Sequence, residues 1–335
     1  MPYPDFPMYY LALLLLAGLW LLSYGGDWMA RGAASLALKL RINAVVVGLT
    51  VVSIATSMPE LLTTLVATGN DSPGLAIGNI LGSNICNIGL ILGVAAVITP
   101  LGIQNRLVKL EAPILMALSL VFFLLTFNFF REGDGIIARW EGFVLLGLTV
   151  AYMVYMVRGA RHGMEPAGDA VPDEVEEAVS TWGGIVALVI AGGVGLALGA
   201  ELVYQSSVVI AHRLQISETL IGLTIVAIGT SLPELAASVA AALRKQSDIV
   251  AGNIVGSNIF NMLLIGGSVG SIYELPVQAS LFKVEFPAML ILTGVLWWVF
   301  ATGRVVSRKE GIMLLIFYVG ILALSGFTQG GIVAN

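Results

Sequence analysis

Charge and cysteine are both scarce in this chain of 335 residues. Only 11% of the residues are charged, against roughly 25% in an average soluble domain, whereas 58% are hydrophobic. A single cysteine, Cys86, excludes a disulfide framework, and with only two histidines a Cys/His metal site is excluded as well. The composition therefore predicts an integral membrane protein. The net charge of −5 says little about function, because acids are concentrated in the loop around 165–177.

Long apolar runs fill most of the sequence. They are continuous, so they predict helices and not the alternating strands of a barrel. The first and sixth runs, of about 30 residues each, exceed the roughly 20 residues that cross a bilayer and are expected to be tilted. The first run lacks the features of a cleaved signal peptide and is predicted to be retained. The ten runs lie at about 7–37, 43–69, 74–98, 106–128, 137–158, 181–211, 217–243, 248–271, 284–302 and 309–327.

Basic residues are distributed unequally between the two sides of the predicted helices. Alternate loops hold twelve of the sixteen lysines and arginines, and the positive-inside rule places these loops in the cytoplasm. Both termini are therefore expected outside the cytoplasm, in a multi-pass protein of the cell membrane.

The two halves of the chain repeat each other with a constant offset of 174 residues. Since each half has five predicted spans, an odd number, the second half must enter the membrane from the opposite side. The sequence thus predicts an all-α membrane protein of ten transmembrane helices, built as two inverted five-helix repeats at 1–158 and 181–335 with a cytoplasmic linker at 159–180. The matching pairs include Gly48/Gly222, Thr56/Thr230, Pro59/Pro233, Glu60/Glu234, Gly78/Gly252, Ser83/Ser257, Asn87/Asn261, Lys109/Lys283, Glu111/Glu285 and Pro113/Pro287.

The most polar repeated motif is TSMPE at 56–60, which returns as TSLPE at 230–234. On a helix, the threonine and the glutamate of each motif share one face, with the serine beside them. Each proline lacks an amide hydrogen and is expected to release the carbonyl four residues earlier, that of Ala55 or Gly229. An unpaired glutamate near the bilayer centre costs at least roughly 2.5–3.5 kcal/mol. The motif therefore predicts a functional site at the repeat interface, as in secondary transporters.

A second repeated motif, GNILGSNICN and GNIVGSNIFN, places polar residues at every fourth position. Its Gly-x-x-x-Gly pairs, Gly78/Gly82 and Gly252/Gly256, are expected to allow close helix approach. The polar stripes would then line one pocket together with the two TS-x-P-E segments. The stripes consist of Asn79, Ser83 and Asn87, and of Asn253, Ser257 and Asn261.

Such a pocket offers only oxygen ligands, which suit hard cations. Calcium takes 6 to 8 oxygens in irregular geometry, and sodium could share the same set. Two carboxylates balance one divalent ion, and its replacement by monovalent ions would provide a basis for exchange. Structural roles remain open for single residues. The hydroxyls could bond their own helices, and four asparagines could join neighbouring helices: Asn79, Asn84, Asn253 and Asn258. The charged residues near span ends are expected to anchor those ends at the membrane interface; they are Asp27, Glu201, Lys109, Glu111, Lys283 and Glu285.

At these residues the chain resembles the cation/calcium exchanger family, the sodium/calcium antiporters in their short prokaryotic form. The resemblance rests on GLTVVSIATSMPEL with GNILGSNICN and on GLTIVAIGTSLPEL with GNIVGSNIFN. It implies a transporter and no enzyme, without a prosthetic group, that carries Ca²⁺ and Na⁺ (or H⁺), functions as a monomer and slides its first and sixth helices to alternate access. It implies that Glu60 and Glu234 bind both ions centrally, with oxygens from Thr56, Ser57, Thr230, Ser231, Ser83, Asn87, Ser257 and Asn261 and the backbone carbonyls of Ser53 and Ala227.

One position departs from the family pattern. Well-studied exchangers similar to this chain carry an aspartate where this sequence has Asn261. Removal of a unit charge about 4 Å from a cation changes the interaction by up to roughly 4 kcal/mol at an effective dielectric constant near 20. Ion affinity or stoichiometry is therefore expected to differ.

Three functions are compatible with these features. The first is an alternating-access antiporter that exports calcium against sodium. The second is a calcium/proton antiporter, in which Glu60 and Glu234 take up protons when calcium leaves, because desolvation favours the neutral carboxyl. The third is a cation channel with the carboxylates as its selectivity ring.

Overall fold

The computed structural model describes residues 6–69, 74–126, 135–161, 179, 181–214 and 229–329. Nearly all of these residues are helical, because a backbone in hydrocarbon must satisfy its hydrogen bonds within its own segment. Of the predicted linker 159–180, only its first three residues and Val179 belong to the described part.

The described part of the first half consists of helices with three inserted π-helical turns and two short strands. Segments α2, π1 and α3 form one uninterrupted helical run, as do α4, π2 and α5. The elements are α1 (Met8–Leu40), α2 (Ala44–Val47), π1 (Gly48–Val52), α3 (Ser53–Gly69), α4 (Gly74–Cys86), π2 (Asn87–Ile91), α5 (Leu92–Ile98), β1 (Leu101–Gly102), π3 (Leu107–Glu111), α6 (Ala112–Thr126), β2 (Gly135–Ile137) and α7 (Arg139–Arg161).

The second half follows the same plan where it is described. Its elements are α8 (Trp182–Arg213), α9 (Leu232–Leu243), α10 (Ser247–Phe260), π4 (Asn261–Ile265), α11 (Gly266–Ile272), β3 (Leu275–Val277), a 3₁₀ turn (Ala279–Phe282), α12 (Glu285–Ala301), β4 (Val305–Val306) and α13 (Arg308–Gln329).

Within the described residues, nine helical segments are long and apolar enough to cross a membrane, and each coincides with one of the ten predicted spans. The remaining prediction, 217–243, is described only from residue 229 onward and contains the shorter apolar helix α9. The prediction of two unusually long helices is confirmed, since α1 has 33 residues and α8 has 32.

The two long helices pack against each other through glycines. A Cβ atom added at Gly25 would lie 2.8 Å from the backbone nitrogen of Leu196, and one added at Gly18 would lie 2.9 Å from the carbonyl oxygen of Gly199. The backbones can approach this closely only because no side chain stands between them. Helices α1 and α8 therefore form one tightly joined pair.

Helix α10 lies at the centre of the molecule, since every residue from Ile249 to Phe260 is buried. It packs on α2 and π1 through Gly252, where an added Cβ would lie 2.7 Å from the carbonyl oxygen of Val45 and 3.0 Å from the backbone nitrogen of Leu49. The predicted close approach at Gly252 and Gly256 is thus confirmed. For Gly78 and Gly82 the same prediction stays a prediction: no described atom lies within 4 Å of an added Cβ at either position, and the residues equivalent to 45–53 in the second half, 219–227, lie outside the described residues.

Two small sheets connect the halves at the ends of the helices. Strand β1 pairs antiparallel with β4, with Leu101 opposite Val306, and β2 pairs antiparallel with β3, with Ile137 opposite Leu275. Each sheet therefore joins one strand from the first half to one from the second.

The charged residues near the span ends do not all act as interfacial anchors. Glu111 is fully buried, with its Oε1 2.8 Å from Nε of Arg106 and its Oε2 accepting a hydrogen bond from the Tyr152 hydroxyl at 3.1 Å. Asp27, which is about one-third exposed, pairs instead across helices with Nε of Arg244 at 2.7 Å. The expectation of interfacial anchoring is therefore wrong for Glu111, whose apolar surroundings require a buried partner.

Candidate functional site

The two TS-x-P-E motifs lie in the core but differ in local structure. Residues 56–60 are inside helix α3, with Pro59 in the helix interior. In the second motif, Thr230 and Ser231 form a turn, and Pro233 stands in the first turn of α9. A proline at that position needs no amide hydrogen. Pro233 therefore follows a break in the helix at Thr230 and Ser231, whereas Pro59 lies inside a continuous helix.

The two glutamates, Glu60 and Glu234, are each 1% exposed, and each accepts a hydrogen bond from the other half of the chain. Ser57 Oγ donates to Oε1 of Glu234 at 3.1 Å, and Ser231 Oγ donates to Oε1 of Glu60 at 3.2 Å. Glu60 Oε1 also accepts from Ser83 Oγ at 2.7 Å. The structure thus brings three predicted site serines to the two predicted glutamates.

Neither carboxylate is neutralised by a basic residue in the described part of the chain. Two buried acids in an apolar core repel each other and lose their hydration, so their ionised forms require compensating positive charge. Oε2 of Glu234 is buried without a hydrogen-bond partner among the described residues. These are the properties of an anionic site that suits a cation.

The threonines of the motifs contact asparagines of the opposite half. Thr56 Oγ1 lies 3.5 Å from Oδ1 of Asn253, and Thr230 Oγ1 donates to Oδ1 of Asn79 at 3.3 Å. Each of these asparagines also donates from Nδ2 within its own half, to Thr64 at 3.0 Å or to Ser238 at 3.1 Å. Asn79 and Asn253 therefore join helices, as the structural alternative predicted, and their oxygens are occupied by hydroxyl donors.

The remaining candidates differ in how closely they approach the carboxylates. Ser257 Oγ donates to Oδ1 of Asn253 at 3.4 Å and not to a glutamate. The carbonyl of Ser53 accepts from Thr56 Oγ1 at 3.3 Å, while the Ser53 hydroxyl donates to the carbonyl of Gly48 at 2.7 Å. Ala227, the candidate that matches Ser53 in the second half, lies outside the described residues.

Four buried asparagines cross-link α4 and π2 with α10 and π4. Asn87 Nδ2 donates to Oδ1 of Asn258 at 3.4 Å, and Asn261 Nδ2 donates to Oδ1 of Asn84 at 3.1 Å. The other terminal atom of the Asn261 amide lies 3.1 Å from Oε2 of Glu60. Asn261 thus lies beside the carboxylate of Glu60, and the contacts of Asn87 with Asn258 and of Asn261 with Asn84 join the two halves.

These contacts occur in pairs that differ by the same 174 residues as the sequence motifs. The bond from Ser57 to Glu234 corresponds to that from Ser231 to Glu60, and the bond from Asn87 to Asn258 corresponds to that from Asn261 to Asn84. The crossed serine bonds and the asparagine contacts therefore recur in both halves, whereas the bond from Ser83 to Glu60 differs from that of its equivalent Ser257, which donates to Asn253.

Sequence reasoning missed the π-helical turns beside the site. Segments π2 and π4 begin at Asn87 and Asn261, the equivalent positions of the two halves. An extra residue in a helical turn redirects the side chains around it, and such turns are frequent at functional sites. No residue type in NIGLI or NMLLI gives a reliable sequence signal for this geometry.

The donor set of the site consists of oxygens. Among the described residues no group of three His, Cys, Asp or Glu side chains converges, so the site has two carboxylates supplemented by hydroxyl and amide oxygens. Such ligands suit hard cations such as Ca²⁺ and Na⁺ better than soft transition metals. A cavity of about 540 Å³ lies elsewhere, between α1 and α9, and neither glutamate lines it.

Comparison with known proteins agrees with this chemistry. A family model described as "Sodium/calcium exchanger protein" matches residues 10–158 and 184–327. An uncharacterized membrane protein, MJ0091, of Methanocaldococcus jannaschii is 38% identical over 94% of this chain and 97% of its own length. The sodium/calcium exchanger MaX1 of Methanosarcina acetivorans is 32% identical over 93% of this chain and 97% of its own length.

The fold is also similar to a solved structure. The sodium-calcium exchanger NCX_Mj, soaked with 10 mM Na⁺ and zero Ca²⁺, superposes with a TM-score of 0.79 at 33% identity, over 95% of this chain and 99% of that chain. Together with the nine apolar helices of the described part, this similarity identifies a multi-pass membrane protein.

Proposed function

The chain belongs to the sodium/calcium exchanger family, and on that premise we propose that it exports Ca²⁺ in exchange for Na⁺ by alternating access. The ions would bind in turn between Glu60 and Glu234. The observation that carries the proposal is the reciprocal pair of bonds by which Ser57 holds Glu234 and Ser231 holds Glu60. Two buried acids held side by side without a basic partner need a cation to remain ionised.

We propose as ion ligands the site residues that the sequence predicts, and they fall into groups with different roles. Glu60 and Glu234 supply the charge, and Ser57, Ser231 and Ser83 fix the carboxylates through hydrogen bonds. Asn87 Oδ1 is buried without a hydrogen-bond partner among the described residues and is available as a neutral ligand. The remaining proposed ligand oxygens belong to the side chains of Thr56, Thr230, Ser257 and Asn261 and to the backbone carbonyls of Ser53 and Ala227.

The proposed transport cycle uses the two halves as inverted repeats, 1–158 and 181–335. The 174-residue recurrence of the contacts around the glutamates supports this relation. Helices α1 and α8 would slide as one unit across the other helices, because their glycine contacts join them closely. All the side chains of the site belong to one chain, so we propose that a monomer is sufficient, with both termini outside the cytoplasm.

Transport in proteoliposomes tests this function. Purified protein is reconstituted, and calcium uptake is measured with an outwardly directed sodium gradient, with a proton gradient instead, or with neither. We expect uptake against the calcium gradient only with sodium, and its loss in Glu60→Gln and in Glu234→Gln. Glu201→Gln is the matched control, because Glu201 is exposed and, within the described part of the chain, its carboxylate bonds Gln205 at 2.9 Å and no residue of the site.

Each rival function has its own result in this assay. Uptake driven by the proton gradient and indifferent to sodium would replace the proposal with calcium/proton exchange. Calcium movement that never exceeds equilibrium would identify a channel, because channels cannot concentrate an ion. Full sodium-driven uptake in either glutamine variant would remove the glutamates from the mechanism.

A further inference from the structure

An ion pair joins α1, which moves in the proposed cycle, to α9, the helix that carries Glu234. Oδ1 of Asp27 on α1 accepts a hydrogen bond from Nε of Arg244 at 2.7 Å and another from Nη2 of the same guanidinium. Oδ2 of Asp27 lies 4.0 Å from Nη1 of Arg31, one turn further along α1. Two N–H groups of one arginine therefore hold the carboxylate, and they fix α1 against the end of α9.

The rest of the seam between α1 and α9 is mainly apolar. Gly26 of α1 lies so close to α9 that an added Cβ would stand 2.7 Å from the carbonyl oxygen of Ala236. Leucines and alanines form most of the lining of the 540 Å³ cavity in this seam, and Asp27 and Arg244 are the charged residues among those that line it. Apolar surfaces can slide past each other, whereas a charge-assisted hydrogen bond requires a short distance between its atoms. The ion pair is therefore the contact that depends most on the position of α1.

The sequence excludes an equivalent ion pair at the positions related by the repeat. With the offset of 174 residues, Asp27 corresponds to Glu201, and Arg244 corresponds to Asn70. Asn70 lies outside the described residues, but its side chain carries no charge. The carboxylate of Glu201, which is exposed, accepts from Gln205 of its own helix at 2.9 Å. The two halves therefore differ in the charge that can hold a long helix to the core.

We propose that the ion pair of Asp27 and Arg244 is a latch that favours one of the two access states. The inference rests on the proposed function, because it assumes that α1 and α8 slide and that inverted repeats exchange their conformations between the states. Halves with identical contacts would favour neither state, so a pair in one half shifts the balance. Arg244 and Lys245 belong to a loop that the positive-inside rule places in the cytoplasm. The latch therefore closes the cytoplasmic end of the seam and favours the state that is open to the opposite side.

Distances between spin labels measure this balance directly. Labels are attached to Leu40→Cys, at the end of α1, and to Val305→Cys, on β4, because both positions are exposed, while the native Cys86 is buried. Pulsed electron paramagnetic resonance is recorded on the full chain in lipid nanodiscs, without Ca²⁺ and Na⁺. We expect one dominant distance, and in Asp27→Asn a second distance whose share relative to the first rises about two- to fivefold, the scale of a partly exposed ion pair.

Further variants separate the latch from general effects of charge. Arg244→Gln removes the other partner, and its combination with Asp27→Asn should shift the distances no more than either single change, because both act through one pair. Glu201→Gln is the matched control, since it removes the carboxylate at the repeat-related position, and it should keep the wild-type distances. Asp27→Glu retains the charge and should lie closer to the wild type than Asp27→Asn.

Transport gives a functional measure of the same balance. When the state that binds a ligand is populated in a small fraction of the molecules, the apparent affinity falls by that fraction. Asp27→Asn should increase the population that is open to the cytoplasm. It should therefore lower the calcium concentration for half-maximal sodium-driven uptake into inside-out vesicles by about two- to fivefold.

The outcomes distinguish the latch from the exchange function on which it rests. Wild-type distances and half-saturation in Asp27→Asn, or an equal shift in Glu201→Gln, would overturn the latch while the proposed exchange stands. Additive shifts in the double variant would show that Asp27 and Arg244 act separately and would also overturn it. A wild-type protein without sodium-driven calcium uptake would overturn the proposed function, and the latch with it.

Discussion

Each site glutamate accepts a hydrogen bond from a serine that stands three positions before the other glutamate. Ser57 precedes Glu60 but bonds Glu234, and Ser231 precedes Glu234 but bonds Glu60. Each serine therefore fixes the distance between the two motifs as well as the orientation of a carboxylate. This crossing is a residue-scale reason for the repeated TS-x-P-E spacing.

Removal of either serine hydroxyl should weaken ion binding by a similar amount. Hydrogen bonds to charged groups contribute about 1.5–3 kcal/mol, so Ser57→Ala and Ser231→Ala are each expected to raise the calcium concentration for half-maximal uptake by about 10- to 100-fold. Ser119→Ala is the control, because Ser119 is equally buried but donates to its own helix at Leu115 O, at 2.8 Å. An unchanged half-saturation in both site variants would contradict the crossed arrangement.

Much of the site could be predicted at the residue scale, because the cost of an unpaired acid in lipid points directly to Glu60 and Glu234. The pairing of donors and acceptors could not be predicted. The same polar pattern is compatible with Asn79 as ligand or as helix contact, and only the positions of Thr230 and Thr64 show that it joins helices. The contacts of Asn84 with Asn261 and of Asn258 with Asn87 likewise depend on how four segments cross.

At the scale of elements, two glycines inside helices have different environments. Gly252 on α10 lies against the backbone of α2 and π1, whereas Gly147 on α7 is exposed and has no described atom within 4 Å of an added Cβ. A sequence motif reports that close approach is possible and does not report where a partner lies. The same limit applies to Pro59 and Pro233, which are identical in sequence context and lie in different parts of their helices.

Alanine substitutions at these two glycines should therefore have opposite results. Gly252→Ala forces a methyl group to within 2.7 Å of a backbone oxygen and is expected to destabilise the protein by about 1–3 kcal/mol. Gly147→Ala meets no such neighbour among the described residues and should be neutral or slightly stabilising, because alanine favours a helix over glycine. Thermal unfolding of both variants in the same detergent measures the difference, and equal destabilisation would contradict the packing of α10 on π1.

At the scale of the whole molecule, the helix pair α1–α8 lies beside a core centred on α10. The sequence could predict nine of the membrane segments in the described part and the exceptional length of α1 and α8, because apolar length is a direct requirement of a bilayer. It could not predict which helices touch. The order of contacts depends on glycine packing and on the two small sheets that join the halves, and both are properties of the assembled chain.

The central claim is that Glu60 and Glu234 share one divalent cation in the middle of the molecule. The most direct measurement is anomalous X-ray diffraction from crystals soaked in Sr²⁺, a heavier analogue of Ca²⁺, for the wild type and for Glu234→Gln. The account predicts an anomalous peak within coordination distance of both carboxylates, which Na⁺ at high concentration displaces and which is absent in the variant. A peak only elsewhere, such as at the partly exposed Asp27, or an undiminished peak in Glu234→Gln would contradict it.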